Sequence, residues 1–158
     1  MARYVSTVEV ARGQRAVWDF LDTPENAPRY VEGCISCVLL SGARKSVGTR
    51  VLRMTSAHGV RPVDATEDVL EYVDGSYSRR TGTVSWFATY DGIMRVDPDG
   101  AGGCRVTFDY TYRPTVAAIL TLFWPVFLLT MRGRIDRMAQ AAKRVLEAEE
   151  VGAYRAAG

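Results

Sequence analysis

Apolar and polar residues alternate without a break from Cys104 to Arg113. Val106, Phe108, Tyr110 and Tyr112 fall on one side, and Arg105, Thr107, Asp109 and Thr111 on the other. A period of two marks a strand with one buried face. Similar runs, each closed by turn chemistry, predict strands over Tyr4 to Val10, Cys34 to Leu40, Thr49 to Ser56, Val63 to Val73, Ser76 to Thr81 and Val84 to Val96. Their breaks are Ser41-Gly42, His58-Gly59, Asp74-Gly75, Gly82 and the segment DPDGAGG. Between the first two strands, QRAVWDFL gathers Val17, Phe20 and Leu21 on one helical face. DTPENAPRY then offers Asp22 or Thr23 as a cap and Pro24 at the first helical position, with Pro28 cutting the second helix short. Near the end, Leu128, Met131, Ile135, Met138, Ala142 and Val145 recur at spacings of three and four among arginines, Lys143 and Glu147. That spacing is a long amphipathic helix whose stripe must bury against something.

The order of strand, two short helices, a run of strands and a long C-terminal helix predicts an α+β fold. A curved antiparallel sheet of about seven strands wraps the helix and leaves a cavity between them. Residues 1–150 make a single domain, and the tail 151–158 frays. One stretch strains this picture. From Pro114 to Met131 no residue is charged, and 18 residues is the lower limit for a bilayer span. Pro125 lies in its middle and Thr115, Thr121 and Thr130 dilute it. A spanning helix would also part the last strand from the helix it must pack against. The stretch, with Phe123 and Trp124, is expected to line the cavity, or else to form an exposed apolar lip.

Composition alters little. Hydrophobic residues make up 47%, charged residues 24%, and the net charge is +2. Eighteen of the twenty cations are Arg, scattered without a basic stripe, so nucleic acid is not an expected partner. The segment MARYVSTVEVARG has no apolar core of signal-peptide length, and a cytoplasmic location is expected. Cys34 and Cys37 form a CxxC, but strand-like flanks put residues three apart on opposite faces. Together with Cys104 they read as structural thiols; no metal and no Cys34–Cys37 disulfide are expected.

VARGQRAVWDFLDTPENAPRYVEGC resembles the opening of the START-like (SRPBCC) superfamily, in which a Val-Trp helix precedes an Asp-Pro-Glu stretch. GGCRVTFDYTYRP, the apolar run and a helix ending AAKRVLEAEE resemble the close of its polyketide cyclase/dehydrase and lipid-transport branch. The resemblance implies a helix-grip fold, a deep cavity for a bulky hydrophobic ligand, and no cofactor. It also implies, for the aromatase/cyclase members, a tyrosine near the end of the second helix and an arginine on a middle strand. Those positions fall at Cys34 and Asp68, so that mechanism is not expected.

Alternation names the candidate cavity wall. Phe108, Tyr110 and Tyr112 face inward on the last strand, and Trp86, Tyr90 and Met94 on the one before it. Leu52 and Met54 are assigned inward, with Arg50 at the rim. In VDATEDVLEYV, sending Glu67 and Glu71 to solvent turns Thr66, Asp68, Leu70 and Tyr72 inward. A carboxylate in an apolar cavity has a raised pKa suited to acid–base work on an enolisable substrate. Asp68 is therefore the candidate catalytic group, with Tyr90 and Tyr110 assisting; the alternative is an ion pair with Arg79, Arg80 or Arg50. His58 reads as a rim residue. Two functions remain open: a polyketide cyclase/dehydratase-like enzyme of natural-product biosynthesis, and a non-catalytic carrier of a lipid, quinone or natural product. The partner is a hydrophobic small molecule, with no transmembrane anchor, and the chain is a monomer or homodimer.

Overall fold

The computed structural model describes residues 1–41, 45–55, 63–84, 88–115 and 120–156. Side chains are described for all of these except 53–55, 63, 64, 84, 120–123 and 149–156. The elements are β1 (Ala2–Val10), α1 (Gln14–Asp22), the 3-10 helix η1 (Pro24–Arg29), β2 (Cys34–Leu39), β3 (Arg50–Thr55), β4 (Val63–Val73), β5 (Tyr77–Val84), β6 (Ala88–Pro98), β7 (Cys104–Pro114) and α2 (Leu120–Ala156). This is the predicted order. α2 begins inside the uncharged stretch, takes Pro125 within it, and continues past Gly152 to Ala156.

The strands form one antiparallel sheet in the order β1-β7-β6-β5-β4-β3-β2. β1 lies beside β7, from Ala2 opposite Tyr112 to Val10 opposite Cys104. The chain then crosses through α1 and η1 to reach the far edge at β2. Local chemistry makes that crossing. Thr23 is extended at φ −74°, ψ 111°, because a residue before proline is driven out of the α region. The carbonyls released at the end of α1 are taken up by side chains. Thr23 Oγ1 donates to Asp19 O at 2.7 Å, Asn26 Nδ2 to Phe20 O at 3.0 Å, and the Tyr30 hydroxyl to Leu21 O at 3.2 Å.

α2 lies on the concave side of the sheet against β1 and β7, and also meets α1 and η1. Its buried stripe is Met131, Ile135, Met138, Ala139, Ala142 and Leu146, with Trp124 and Phe127 partly buried toward its N-terminal end. Beneath it Val106, Phe108, Met94 and Val96 are completely enclosed, and Trp18 and Leu21 of α1 close the end of the core. The result is a helix-grip-like arrangement. Among the described residues no helix is long and apolar enough to cross a membrane.

Simple alternation along the strands fails in two places that shape the concave face. The β4–β5 register shifts between Val69 and Glu71, so Leu70 is an extra, exposed residue. β5 also continues through Gly82, where the sequence suggests a stop. The reason is steric: Gly82 is the partner of Tyr90, and a Cβ there would lie 2.9 Å from the Tyr90 ring. Gly92 stands in the same relation to Tyr110, at 2.7 Å. Each glycine on the concave face is a bed for the phenol of the next strand.

Filling such a bed forces the ring away. Gly92→Ala should cost about 1–3 kcal/mol in urea unfolding. In a Tyr110→Leu background most of that penalty should vanish, which a double-mutant cycle measures. An undiminished cost in that background would place the strain elsewhere.

Candidate functional site

Along β6 and β7 the burial follows the predicted alternation: Ala88, Tyr90, Gly92, Met94 and Val96 are buried, as are Cys104, Val106, Phe108, Tyr110 and Tyr112. Cross-strand pairing then collects the phenols. Tyr90 is opposite Tyr112, and Tyr110 is one step further along. Ring centroids are 5.6 Å apart for Tyr90–Tyr110, 6.2 Å for Tyr90–Tyr112 and 6.2 Å for the stacked Tyr110–Tyr112 pair. Phe127 of α2 meets Tyr112 edge-on at 5.7 Å, and Trp124 stacks on Phe127 at 5.2 Å. Tyr4 of β1 completes the patch at 6.4 Å from Tyr112. These spacings suit tilted and edge-to-face aromatic contact. Met94 and Phe108, also expected on this wall, lie completely buried in the core.

The other half of the concave face is charged, and here the sequence assignment is corrected. Glu67 and Val69, not Thr66 and Asp68, point inward; Glu67 is 1% exposed and Arg80 of β5 is 7% exposed. Arg80 Nη1 donates to Glu67 Oε2 at 3.3 Å. Nearby, Lys45 reaches Asp22 at the end of α1 at 3.2 Å, and the Tyr72 hydroxyl donates to the other Asp22 oxygen at 2.8 Å. Burial lowers the basicity of the Lys45 ammonium, the Arg80 charge adds to the effect, and Asp22 opposes it. Burial also pushes the Tyr72 phenol up, reinforced by its bond to Asp22. Tyr72 is inward as expected, because the shift at Leu70 resets the phase of β4. It is held at the closed end, with its ring 5.9 Å from Trp18.

Asp68 stands on the convex face. Its side chain is 44% exposed and accepts from Arg50 Nε at 2.7 Å. The Arg50 bond holds the carboxyl below the usual carboxylate range, the reverse of the shift expected of a cavity acid. The ion-pair alternative thus describes Asp68 and Arg50. Thr66 is exposed, and Leu52 follows the same outward phase as Arg50, since Val51 between them is buried. Met54, Trp86, Phe123 and His58 were also singled out from the sequence; the side chains of Met54 and Phe123, and all of Trp86 and His58, lie outside the described residues.

The thiols need a second correction. A register shift between Cys34 and Ser36 breaks the alternation of β2, so Cys34 and the buried Cys37 both pack against the core. None of the three cysteines is in a disulfide. Among the described residues no three His, Cys, Asp or Glu side chains gather as metal ligands do. A separate open groove of about 500 Å³ runs between the η1–β2 junction and α2. It is lined by Tyr30, Glu32, Cys34, Arg137, Ala141 and Arg144, with Glu32 and Arg137 paired at 2.9 Å.

Sequence reasoning missed Asp22, Lys45, Glu67 and Arg80. A usable signal was present: Glu67 and Arg80 lie on strands joined by a tight turn, at diagonal positions on one face (Glu67 opposite Gly82, Arg80 opposite Val69) once the extra residue at Leu70 is allowed.

Comparison with known proteins adds three findings. The sequence profile for polyketide cyclase / dehydrase and lipid transport matches residues 1–147. The Thermus thermophilus protein TTHA0849 superposes with a TM-score of 0.76 at 19% identity, covering 94% of this chain and 99% of that one. The di-domain ARO/CYC proteins BexL, of the BE-7585A biosynthetic pathway, and StfQ, of the steffimycin pathway, superpose at 0.71 and 0.74 with 18% and 11% identity. This chain covers 94% and 95% of itself in those matches but spans 47% and 51% of the two di-domain chains. At such identities the likeness speaks for the fold alone. No curated protein matches the chain.

The two faces should respond differently to mutation. Arg80→Met leaves the buried Glu67 carboxylate without its guanidinium and should cost about 3–5 kcal/mol in urea unfolding. Arg79→Met, on the convex face, should cost about 1 kcal/mol or less, although Arg79 binds both Glu71 and Asp91. Equal costs would remove the distinction between the faces. Arg79 also holds the Asp91 carboxyl below its ordinary value. The stability this confers is fully present above the ordinary carboxylate pKa and is lost as pH falls through the depressed one. Asp91→Asn should therefore flatten the acid limb of the stability profile while leaving the alkaline limb unchanged.

Proposed function

Because the chain belongs to the polyketide cyclase / dehydrase and lipid transport family, we propose that it binds a bulky, mostly apolar small molecule between the concave sheet face and α2. The single observation that carries this reading is the two-part composition of that face. Tyr90, Tyr110 and Tyr112 form an aromatic half, and the Glu67–Arg80 and Asp22–Lys45 pairs form a charged half. A flat or ring-bearing ligand would stack against the phenols, whose hydroxyls can each donate and accept a hydrogen bond. Its oxygen functions would meet the charged half, where few partners suffice to fix orientation.

Among the family's activities, the pairing of the interior charges favours binding and carriage. Both interior carboxylates, Asp22 and Glu67, are engaged by cations, and Asp68 lies on the other face. A carboxylate whose oxygens are already engaged in this way is not presented to a ligand as a general base. One observation favours the cyclase/dehydratase-like alternative. Lys45 is a buried amine of lowered basicity beside Asp22 and Tyr72. Such an amine can exchange a proton with an enolisable carbonyl, while Tyr90 and Tyr110 would hold the chain in a ring-closing conformation.

A hydrophobic fluorescent probe or a planar polyphenol should bind saturably with micromolar-order affinity. Tyr110→Phe should weaken the polyphenol by about tenfold or less and the apolar probe hardly at all. Asp68→Asn should change neither. Absence of saturable binding, or an Asp68→Asn effect larger than that of Tyr110→Phe, would count against an interior site. In an assay of polyketide-like substrates, Lys45→Met would abolish turnover if the enzymatic alternative holds. A carrier shows no turnover to abolish.

A further inference from the structure

Lys45 stands apart from the other cations of the chain. There are two lysines and eighteen arginines. Lys143, partly buried on α2, donates to Glu9 O and to Glu147 Oε1, both at 2.6 Å. Lys45 is enclosed, with its side chain 4% exposed. Among the described residues its ammonium has one polar partner, Asp22 Oδ1 at 3.2 Å. An ammonium carries three donors, and leaving donors unfilled in a buried place is costly. The site is therefore open to an oxygen brought by something else.

An amine at this place differs in chemistry from the cations around it. Arginine makes the interior pair with Glu67 and the pairs with Asp68 and Asp91 on the convex face. Its fork would bind Asp22 more firmly, but a guanidinium neither gives up its proton nor attacks a carbonyl. A neutral amine does attack one. Burial, helped by the Arg80 charge, lowers the basicity of Lys45 against the pull of Asp22 and Glu67. The Tyr72 hydroxyl donates to Asp22 Oδ2 at 2.8 Å and so fixes the carboxylate beside the amine. Lys45, Arg80, Asp22 and Glu67 together make a cluster with no net charge.

We propose that Lys45 is a covalent ligand site, at which its Nζ forms a reversible imine with an aldehyde or ketone of the bound molecule. The inference rests on the interior site proposed above and narrows its ligand to a carbonyl compound. Asp22 takes the ammonium proton, and the freed nitrogen lone pair attacks the carbonyl carbon as the π pair moves to oxygen. One nitrogen proton passes to that oxygen. Asp22 then returns its own proton there, and the oxygen leaves as water while the nitrogen lone pair closes the C=N bond. The step is redox-neutral. Its product is a protonated imine facing a carboxylate, so the cluster keeps the same charge balance before and after.

Reductive trapping tests the proposal. The full chain is incubated with 2-naphthaldehyde and sodium cyanoborohydride, and labelled peptides are mapped by mass spectrometry. Lys45 should be labelled about tenfold or more faster than Lys143, because a carbonyl bound beside an amine reacts at a raised effective concentration. The Lys45 label should saturate with aldehyde concentration and fall when a planar polyphenol competes, while labelling of the terminal α-amino group does neither. In urea the two lysines should label alike. Lys45→Arg keeps the charge and should lose the label; Lys143→Arg should keep it. Mapping the parent chain reads Lys45 directly, so the test does not depend on a variant folding. Lys45 left unlabelled in a chain that still binds the polyphenol would overturn the covalent site and leave the interior reading standing. Labelling of Lys45 that neither saturates nor yields to the competitor would also overturn it. A chain with neither label nor polyphenol binding would overturn both.

Discussion

The apolar stripe of α2 constrains the rest of the molecule. A helix this long presents more hydrophobic area than one edge of a sheet can cover, so the sheet must curve and the helix must lie in its concavity. That single burial sets the inward face of β1, β6 and β7 and places Trp18 and Leu21 of α1 as the end wall of the core. It also explains the direct pairing of the first strand with the last. With β1 beside β7, the stripe from Met131 to Leu146 rests on adjacent strands, and the chain must cross through α1 and η1 to reach the far edge.

Beyond the reach of α2 the concave face is no longer purely apolar. The contacts of α2 fall on β1 and β7, while Glu67 of β4 and Arg80 of β5 turn inward as a pair, with Lys45 and Asp22 paired nearby. Burying charge is costly, and pairing offsets only part of the cost. Hydrophobic residues could have filled the same positions more cheaply. That cost is the physical ground on which we propose that this half of the wall orients a ligand. The glycines at 82 and 92 point the same way, since they let the tyrosine rings lie flat against the sheet and keep the phenols close together.

The fold was legible in the sequence because its strongest signals are local. The unbroken alternation of β7, the Thr23-Pro24 break and the stripe from Met131 onward each act within a few residues. The site was legible only where that alternation stayed in phase. Tyr90, Tyr110 and Tyr112 were placed correctly on this ground. Asp68 was not, because one extra residue at Leu70 shifts the phase of β4, and because a glutamate was assumed to prefer water. Glu67 can be inside only because Arg80, on the neighbouring strand, meets it there; no reading confined to β4 contains that partner. The same difficulty recurs at Cys34, expected on the face opposite Cys37, where a register shift in β2 lets both pack against the core.

The central claim is that the concave face between the phenols and the paired charges is where a ligand sits. Titrating an isotope-labelled sample with a planar polyphenol, and following ring and methyl resonances by nuclear magnetic resonance, tests this directly. The account predicts progressive shifts at Tyr90, Tyr110, Tyr112 and Phe127, with Asp68 and the Arg79 neighbourhood unmoved. Shifts confined to the groove around Tyr30 and Arg137, or to the convex face, would contradict it.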